Sequence, residues 1–118
     1  MNSNKSAIRI RQFDLWLADL NPRFGTEPGK VRPVVIIQTD MLNNEHPSTI
    51  ICPVTTRITP HATLLRIALN RQQFKIPSAI LVDQIRAIDN RRLLSRVGKL
   101  NRDQVLRLKH GIRTILDV

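Results

Sequence analysis

Hydrophobic positions along this chain change their period once. Phe13, Leu15 and Leu17 alternate with Asp14, Trp16 and Ala18, and the segment stops at Asn21-Pro22, which predicts a first strand followed by a loop. Val34 to Thr39 is an almost unbroken apolar run, too short for a helix and rich in β-branched residues, and predicts a central strand. Asp40 to Ser48 is a polar connection with Asn43-Asn44 and Pro47 as turn signals. Thr49 to Thr56 predicts a third strand. Its period of two places Ile50, Cys52 and Val54 on one face and Thr49, Ile51, Pro53 and Thr55 on the other, so with Cys52 and Val54 facing the core Thr55 points outward. Leu64 to Leu69 and Ala79 to Ile85 predict two more strands, flanked by the connections Arg57 to Thr63 and Asn70 to Ser78. Short strands, frequent turns and no βαβ rhythm predict a small, mostly antiparallel sheet or barrel.

The period then becomes helical. Val105, Leu108, Ile112 and Ile115 recur at three and four residues, and Asn101 followed by Gln104 has the spacing of a capping box. Asn101 to Leu116 is therefore an amphipathic helix packed on the sheet, in which Gly111 costs about 1 kcal/mol relative to Ala unless close packing requires it. At 118 residues the chain is a single domain, 1–118, with residues 1–12 expected to form a flexible N-terminal segment.

Charge narrows the partner. Nineteen Lys and Arg against nine Asp and Glu leave a net charge of +10, which favours a polyanion such as nucleic acid. Much of the excess lies in Arg86, Arg91, Arg92, Arg96, Lys99, Arg102, Arg107, Lys109 and Arg113, opposed in that stretch only by Asp89 and Asp103. The single cysteine, Cys52, has apolar neighbours and reads as a buried thiol in a reducing, cytoplasmic compartment. Neither a signal peptide nor a membrane-spanning run is expected.

Candidate chemistry concentrates at Arg32-Pro33. Pro33 disfavours helical geometry at Arg32 and so fixes a permanent positive charge at the mouth of a strand. The preceding loop, Gly25-Thr26-Glu27-Pro28-Gly29-Lys30, offers backbone N–H groups and a carboxylate. His46, His61 and His110 lack metal-ligand spacing, the glycine loop is no P-loop, and Ser78 and Ser95 have no His and acid partners. No metal or other cofactor is expected. What remains is Glu27, Lys30, Arg32, Thr55, Asp83 and Gln84, all at strand ends or in adjoining loops. Among the few aromatics, Phe24 is the one placed to meet a base, while Phe13, Trp16 and Phe74 are expected to be structural.

Four linked motifs carry a resemblance: Asp14-Leu15-Trp16-Leu17-Ala18-Asp19-Leu20-Asn21-Pro22; Gly25-Thr26-Glu27 with Arg32-Pro33-Val34-Val35-Ile36; Cys52-Pro53-Val54-Thr55-Thr56; and Leu81-Val82-Asp83-Gln84-Ile85-Arg86-Ala87-Ile88-Asp89. In order and spacing, from about Phe13 to the C-terminal helix, the chain resembles the MazF/PemK/Kid family of bacterial toxins. The resemblance implies a mostly β, SH3-like antiparallel barrel of the CcdB/PemK type with a C-terminal α-helix. It also implies a cytoplasmic homodimer that cuts single-stranded RNA at short sequences without a metal ion and is silenced by a cognate antitoxin with an acidic segment. By the match to the family's Arg-Pro and Pro-x-Thr motifs, Arg32 and Thr55 would be catalytic. Phe24, Gly25, Thr26, Glu27, Lys30, Asp83 and Gln84 would contact substrate.

This chain departs from the family pattern at three places. The Gly-Asp pair that usually opens the first strand is Phe13-Asp14, a position that is His in some members is Thr26, and one that is Arg in some is Leu81. An acid–base scheme built on that His or that Arg does not transfer. Two other readings share the barrel: a gyrase poison of the CcdB type, disfavoured because the only Trp is Trp16 and not near the C-terminus, and an RNA-binding module that does not cut.

Overall fold

A computed structural model describes residues 9–22, 24–26, 30–58, 65–70 and 73–118. It contains seven strands, β1 (Asp14–Asp19), β2 (Val31–Ile36), β3 (Ser48–Thr55), β4 (Arg66–Leu69), β5 (Ser78–Leu81), β6 (Arg86–Asp89) and β7 (Leu93–Lys99), and a final helix, α1 (Arg102–Leu116). Every pairing is antiparallel, in the order β4-β5-β3-β2-β1-β7, with β6 added to β3. The long strand β3 changes partner along one edge: Ser48 to Ile51 pair with β6, and Val54 and Thr55 pair with β5.

The first five predicted strands are present with shifted ends, and β2 begins earlier than the apolar run because Val31, Arg32 and Pro33 lie opposite Asp19, Ala18 and Leu17. Val82 to Gln84 leave the fifth strand as a 3-10 turn. Strands β6 and β7 were not foreseen. Four consecutive residues of β7, Leu94 to Val97, are exposed, so this edge strand has no hydrophobic alternation to read.

Burial of β3 on both faces corrects the one-sided expectation. Cys52 and Val54 join Leu15, Val35, Ile80, Val82 and Leu108 in one core, while Ile51 joins Trp16, Val34, Ile36 and Ile88 in a second. Ile50, expected inside, is 39% exposed where β3 runs out beside Ala87. Helix α1 covers the first core with Leu108, supported by Val105, Ile112 and Ile115, and buries Gly111.

Among the described residues the ladder does not return on itself, and its two ends are bridged by side chains. Gln73 and Gln104 exchange amide hydrogen bonds of 2.7 and 2.8 Å, Gln73 Nε2 also donates to the Lys99 carbonyl, and Gln104 Nε2 donates to that of Ala68. Gln104 simultaneously completes the predicted capping box: its Oε1 accepts from Asn101 N, and Asn101 Oδ1 accepts from Gln104 N. At the other end of the chain, residues 10–12 are tied down. Ile10 exchanges two bonds with the Asn44 side chain, and Gln12 N donates to Asp40 Oδ1. Among the described residues no helix is long and apolar enough to cross a membrane.

Candidate functional site

The β2–β3 ladder gives out at the pair Val34–Pro53. Pro33 and Pro53 have no amide hydrogen to continue it, and across the break Arg32 Nη1 donates to the Val54 carbonyl at 3.3 Å. Here a cleft of about 930 Å³ opens on the protein surface. Arg32 reaches it from β2 and Thr55 from β3, neighbours in the sheet although 23 residues apart in the chain. Thr55 is partly exposed, and its Oγ1 accepts a 3.1 Å bond from Arg57 N, which fixes the hydroxyl oxygen and leaves its proton to be directed elsewhere.

Of the other expected contacts, Thr26, Lys30 and Gln84 line the same cleft. Lys30 sits in the left-handed region at φ 55°, held by its own N–H donating to Asn21 Oδ1 at 2.7 Å. Gly25 needs its conformational freedom, at φ 57°, but neither it nor Phe24 is among the lining residues; Phe24 is 68% exposed on the loop. Glu27 lies outside the described residues. Asp83 does not line the cleft either. Its Oδ1 is 2.8 Å from Nη1 of Arg66, which does.

Several lining residues escaped the sequence reading: Arg57, Arg66, Lys75 and Ile76, together with Phe74, which both packs on the core and faces the cleft. Arg66 opens β4 and the others come from the connections around β4 and β5, and nothing in their local sequence says that β5 pairs with β3 beside Thr55. With Lys30 and Arg32 they give five cations among the described residues, none of whose carboxylates lines the cleft. Such a surface concentrates a polyanion in preference to a neutral ligand. Behind it, Cys52 lies in the core, where burial first and the Asp83 charge second push its thiol up to about 12. It is inert rather than nucleophilic.

Residues 11–116 match the sequence profile of the PemK-like, MazF-like toxins of type II toxin–antitoxin systems. The chain belongs to that family. It is 34% identical over 105 residues to endoribonuclease MazF of Staphylococcus epidermidis, an alignment covering 87% of this chain and 88% of that protein. The crystal structure of MazF from Deinococcus radiodurans superposes with a TM-score of 0.83 at 20% identity, covering 94% of this chain and 99% of that one. An endoribonuclease from a mycobacterial species, solved in complex with its cognate antitoxin, gives 0.76 at 13% identity over 92% and 96% of the two chains. The likeness to these two solved structures is one of fold. It agrees with the architecture described above, antiparallel strands closed by a C-terminal helix.

Just before β1, Phe13 adopts φ 69°, a left-handed conformation that a bulky residue rarely takes. Its N–H donates to the Ile36 carbonyl at 2.7 Å and its carbonyl accepts from Leu100 N at 3.0 Å, so the surrounding ladder imposes the conformation whatever the side chain.

Proposed function

We propose that this PemK/MazF-like toxin is an endoribonuclease that cuts single-stranded RNA at short sequences in the cleft between β2 and β3. The observation that supports this reading is the meeting of Arg32 and Thr55 in one cation-lined cleft. The reaction is internal. A ribose 2′-oxygen attacks its own phosphorus, the bond to the 5′-oxygen breaks, the 2′-proton leaves and the departing 5′-oxygen gains one. The products are a cyclic phosphate and a 5′-hydroxyl. With the nucleophile supplied by the substrate, the protein has to hold attacking and leaving oxygens in line and neutralise the phosphorane.

Arg32 suits the second task. A guanidinium keeps its charge at any physiological pH and presents a planar fork to phosphate oxygens, and the bond to Val54 O orients that fork. Thr55, with its oxygen held by Arg57 N, donates to a phosphate oxygen. Lys30, Arg57 and Lys75 carry flanking phosphates, Thr26 and Gln84 meet bases, and Phe74 offers a ring on which a base can stack. Asp83 orients Arg66 through their ion pair rather than serving as base.

The same cations would receive an acidic segment of an antitoxin, and the mycobacterial relative solved with its cognate antitoxin supports a partner of that kind. Family membership likewise supports a cytoplasmic homodimer.

The test is incubation of the purified protein with a long single-stranded RNA in EDTA, followed by characterisation of the ends. Cyclic-phosphate and 5′-hydroxyl termini, abolished in a folded Arg32→Ala variant, are the expected result. Intact RNA with trapped gyrase complexes would instead identify a gyrase poison, and salt-sensitive binding without scission a non-cleaving module.

A further inference from the structure

We infer that Arg92 is a positioning residue for RNA binding: from outside the cleft it clamps the stem of the β1–β2 loop and so fixes the wall that carries Asn21, Thr26 and Lys30. The inference rests on the cleft being the RNA site.

The stem is narrow. Asp19 and Val31 form the last ladder pair, Leu20 N donates to the Lys30 carbonyl at 3.0 Å, and Lys30 N donates to Asn21 Oδ1 at 2.7 Å. Among the described residues, these bonds tie the two ends of the loop together. Lys30 is held there at φ 55°, which opposes the arrangement instead of supporting it. Arg92 Nη1 donates to two carbonyls of the same stem, that of Asp19 at 3.0 Å and that of Asn21. These bonds span more than 70 residues of sequence, and one guanidinium nitrogen makes both.

Arg92 is well mounted for this. It ends the 3-10 turn Asn90–Arg92 between β6 and β7, which is itself pinned to the start of β3. Asn90 N donates to the Pro47 carbonyl at 3.0 Å, Asn90 Nδ2 to that of His46 at 2.8 Å, and Thr49 Oγ1 donates to Asn90 Oδ1 at 2.6 Å. Arg92 itself does not line the cleft. Arg32, in contrast, is held independently of the stem by its ladder position opposite Ala18 and by the bond to Val54 O. Loss of the clamp should therefore weaken capture of RNA while leaving the chemical step largely intact.

The experiment compares wild type, Arg92→Ala and Arg92→Lys in RNA cleavage kinetics and amide hydrogen exchange. Arg92→Ala should raise KM about tenfold with kcat within about threefold, the scale of one or two lost hydrogen bonds. Exchange at the Leu20 and Lys30 amides should accelerate, with Val35 and Cys52 unchanged. Because both bonds leave a single nitrogen, Arg92→Lys should restore KM to within about threefold of wild type. The slope of log affinity against log salt, measured on a non-cleavable 2′-deoxy oligonucleotide, should not change. A slope reduced by about one would make Arg92 a direct phosphate contact and overturn the inference. A fall in kcat at constant KM would mean a merely smaller folded fraction and would also overturn it. Unchanged exchange at Leu20 and Lys30 beside normal wild-type cleavage defeats the clamp alone. Accelerated exchange in a protein whose wild type never cuts RNA defeats the ribonuclease reading, and the functional role of the clamp with it.

Discussion

Arg66 Nη1 lies 2.8 Å from Asp83 Oδ1, so one of the five cations of the cleft is partly neutralised by an acid standing behind it. The pair joins β4 to the 3-10 turn that follows β5, with side chains 24% and 34% exposed. At that exposure it contributes no more than about 1 kcal/mol to stability. Its larger effect is on the field in the cleft. Asp83→Asn should tighten binding of a 2′-deoxy oligonucleotide at low salt and steepen the salt slope by about one, with little change in unfolding midpoint. Fluorescence anisotropy across a salt series decides this; an unchanged slope would place Arg66 off the nucleic-acid path.

Arg32→Lys separates charge from geometry. The ammonium keeps the positive charge but loses the planar fork and the angled bond to Val54 O. Affinity for the oligonucleotide should hold within about threefold, while kcat falls about 10²–10³-fold, the usual scale for losing a placed transition-state donor. Single-turnover cleavage measures the loss. A lysine variant of normal rate would leave Arg32 with a binding role only.

Arg32 stood out because Pro33 follows it at a strand mouth and Thr55 because it ends a Pro-x-Thr motif, and both line the cleft. The sequence also disclosed the helix, since Asn101 and Gln104 make a capping box whatever surrounds them. What it hid has a common cause. Strands β6 and β7 rest on partners distant in the chain: Ile88 faces Thr49, and Arg96 ion-pairs with the buried Asp14 through Nε at 2.9 Å. A run of arginines there reads as solvated charge until the ladder is known. Arg66 and Lys75 were invisible as site residues for the same reason, because only the order β4-β5-β3 brings them to Thr55.

Phe13 offers a test of backbone strain. A left-handed conformation costs a residue with a Cβ about 1–2 kcal/mol, offset here by packing on the first core and by Lys109 Nζ lying 5.6 Å from the ring centroid. Phe13→Ala removes the ring and keeps the strain, whereas Phe13→Gly removes both. Glycine should therefore be the more stable variant by about 1 kcal/mol, by urea unfolding. The reverse order would mean that φ 69° is relaxed on mutation.

Gln104 connects three structures at once: the cap of α1, Gln73 in the β4–β5 connection, and the Ala68 carbonyl of β4. Asn101→Ala loses the cap acceptor alone and should cost about 1 kcal/mol. Gln104→Ala also removes both bonds exchanged with the Gln73 amide, leaving it those to Lys99 O and from Asn70 N, and should cost about 2 kcal/mol. Because Gln73 precedes Phe74 and Lys75, the Gln104 variant should raise KM for RNA as well, and Asn101→Ala should not. Equal effects of the two variants on KM would show that the bridge does not shape the cleft.

Cys52 predicts a specific alkaline instability. Its thiol has a usual value of 9.0 and is raised in the fold to about 12, by burial and then by the negative charge of Asp83. The folded chain therefore holds this proton across a range in which the unfolded chain has lost it. The stabilisation is complete below pH 9.0 and drains away as pH climbs toward about 12, since the unfolded state gains by ionising. Cys52→Ala lacks the group altogether. Its absolute stability should be lower at neutral pH because a buried side chain is truncated, yet its decline between pH 9 and 10.5 should be shallower than that of wild type, by about one proton's worth of slope. Urea titrations of both proteins at matched pH values measure the difference. Parallel declines would mean that the thiol ionises in the folded state as readily as in the unfolded one, and native Cys52 should then react with a thiol reagent at pH 8, which a sealed core forbids.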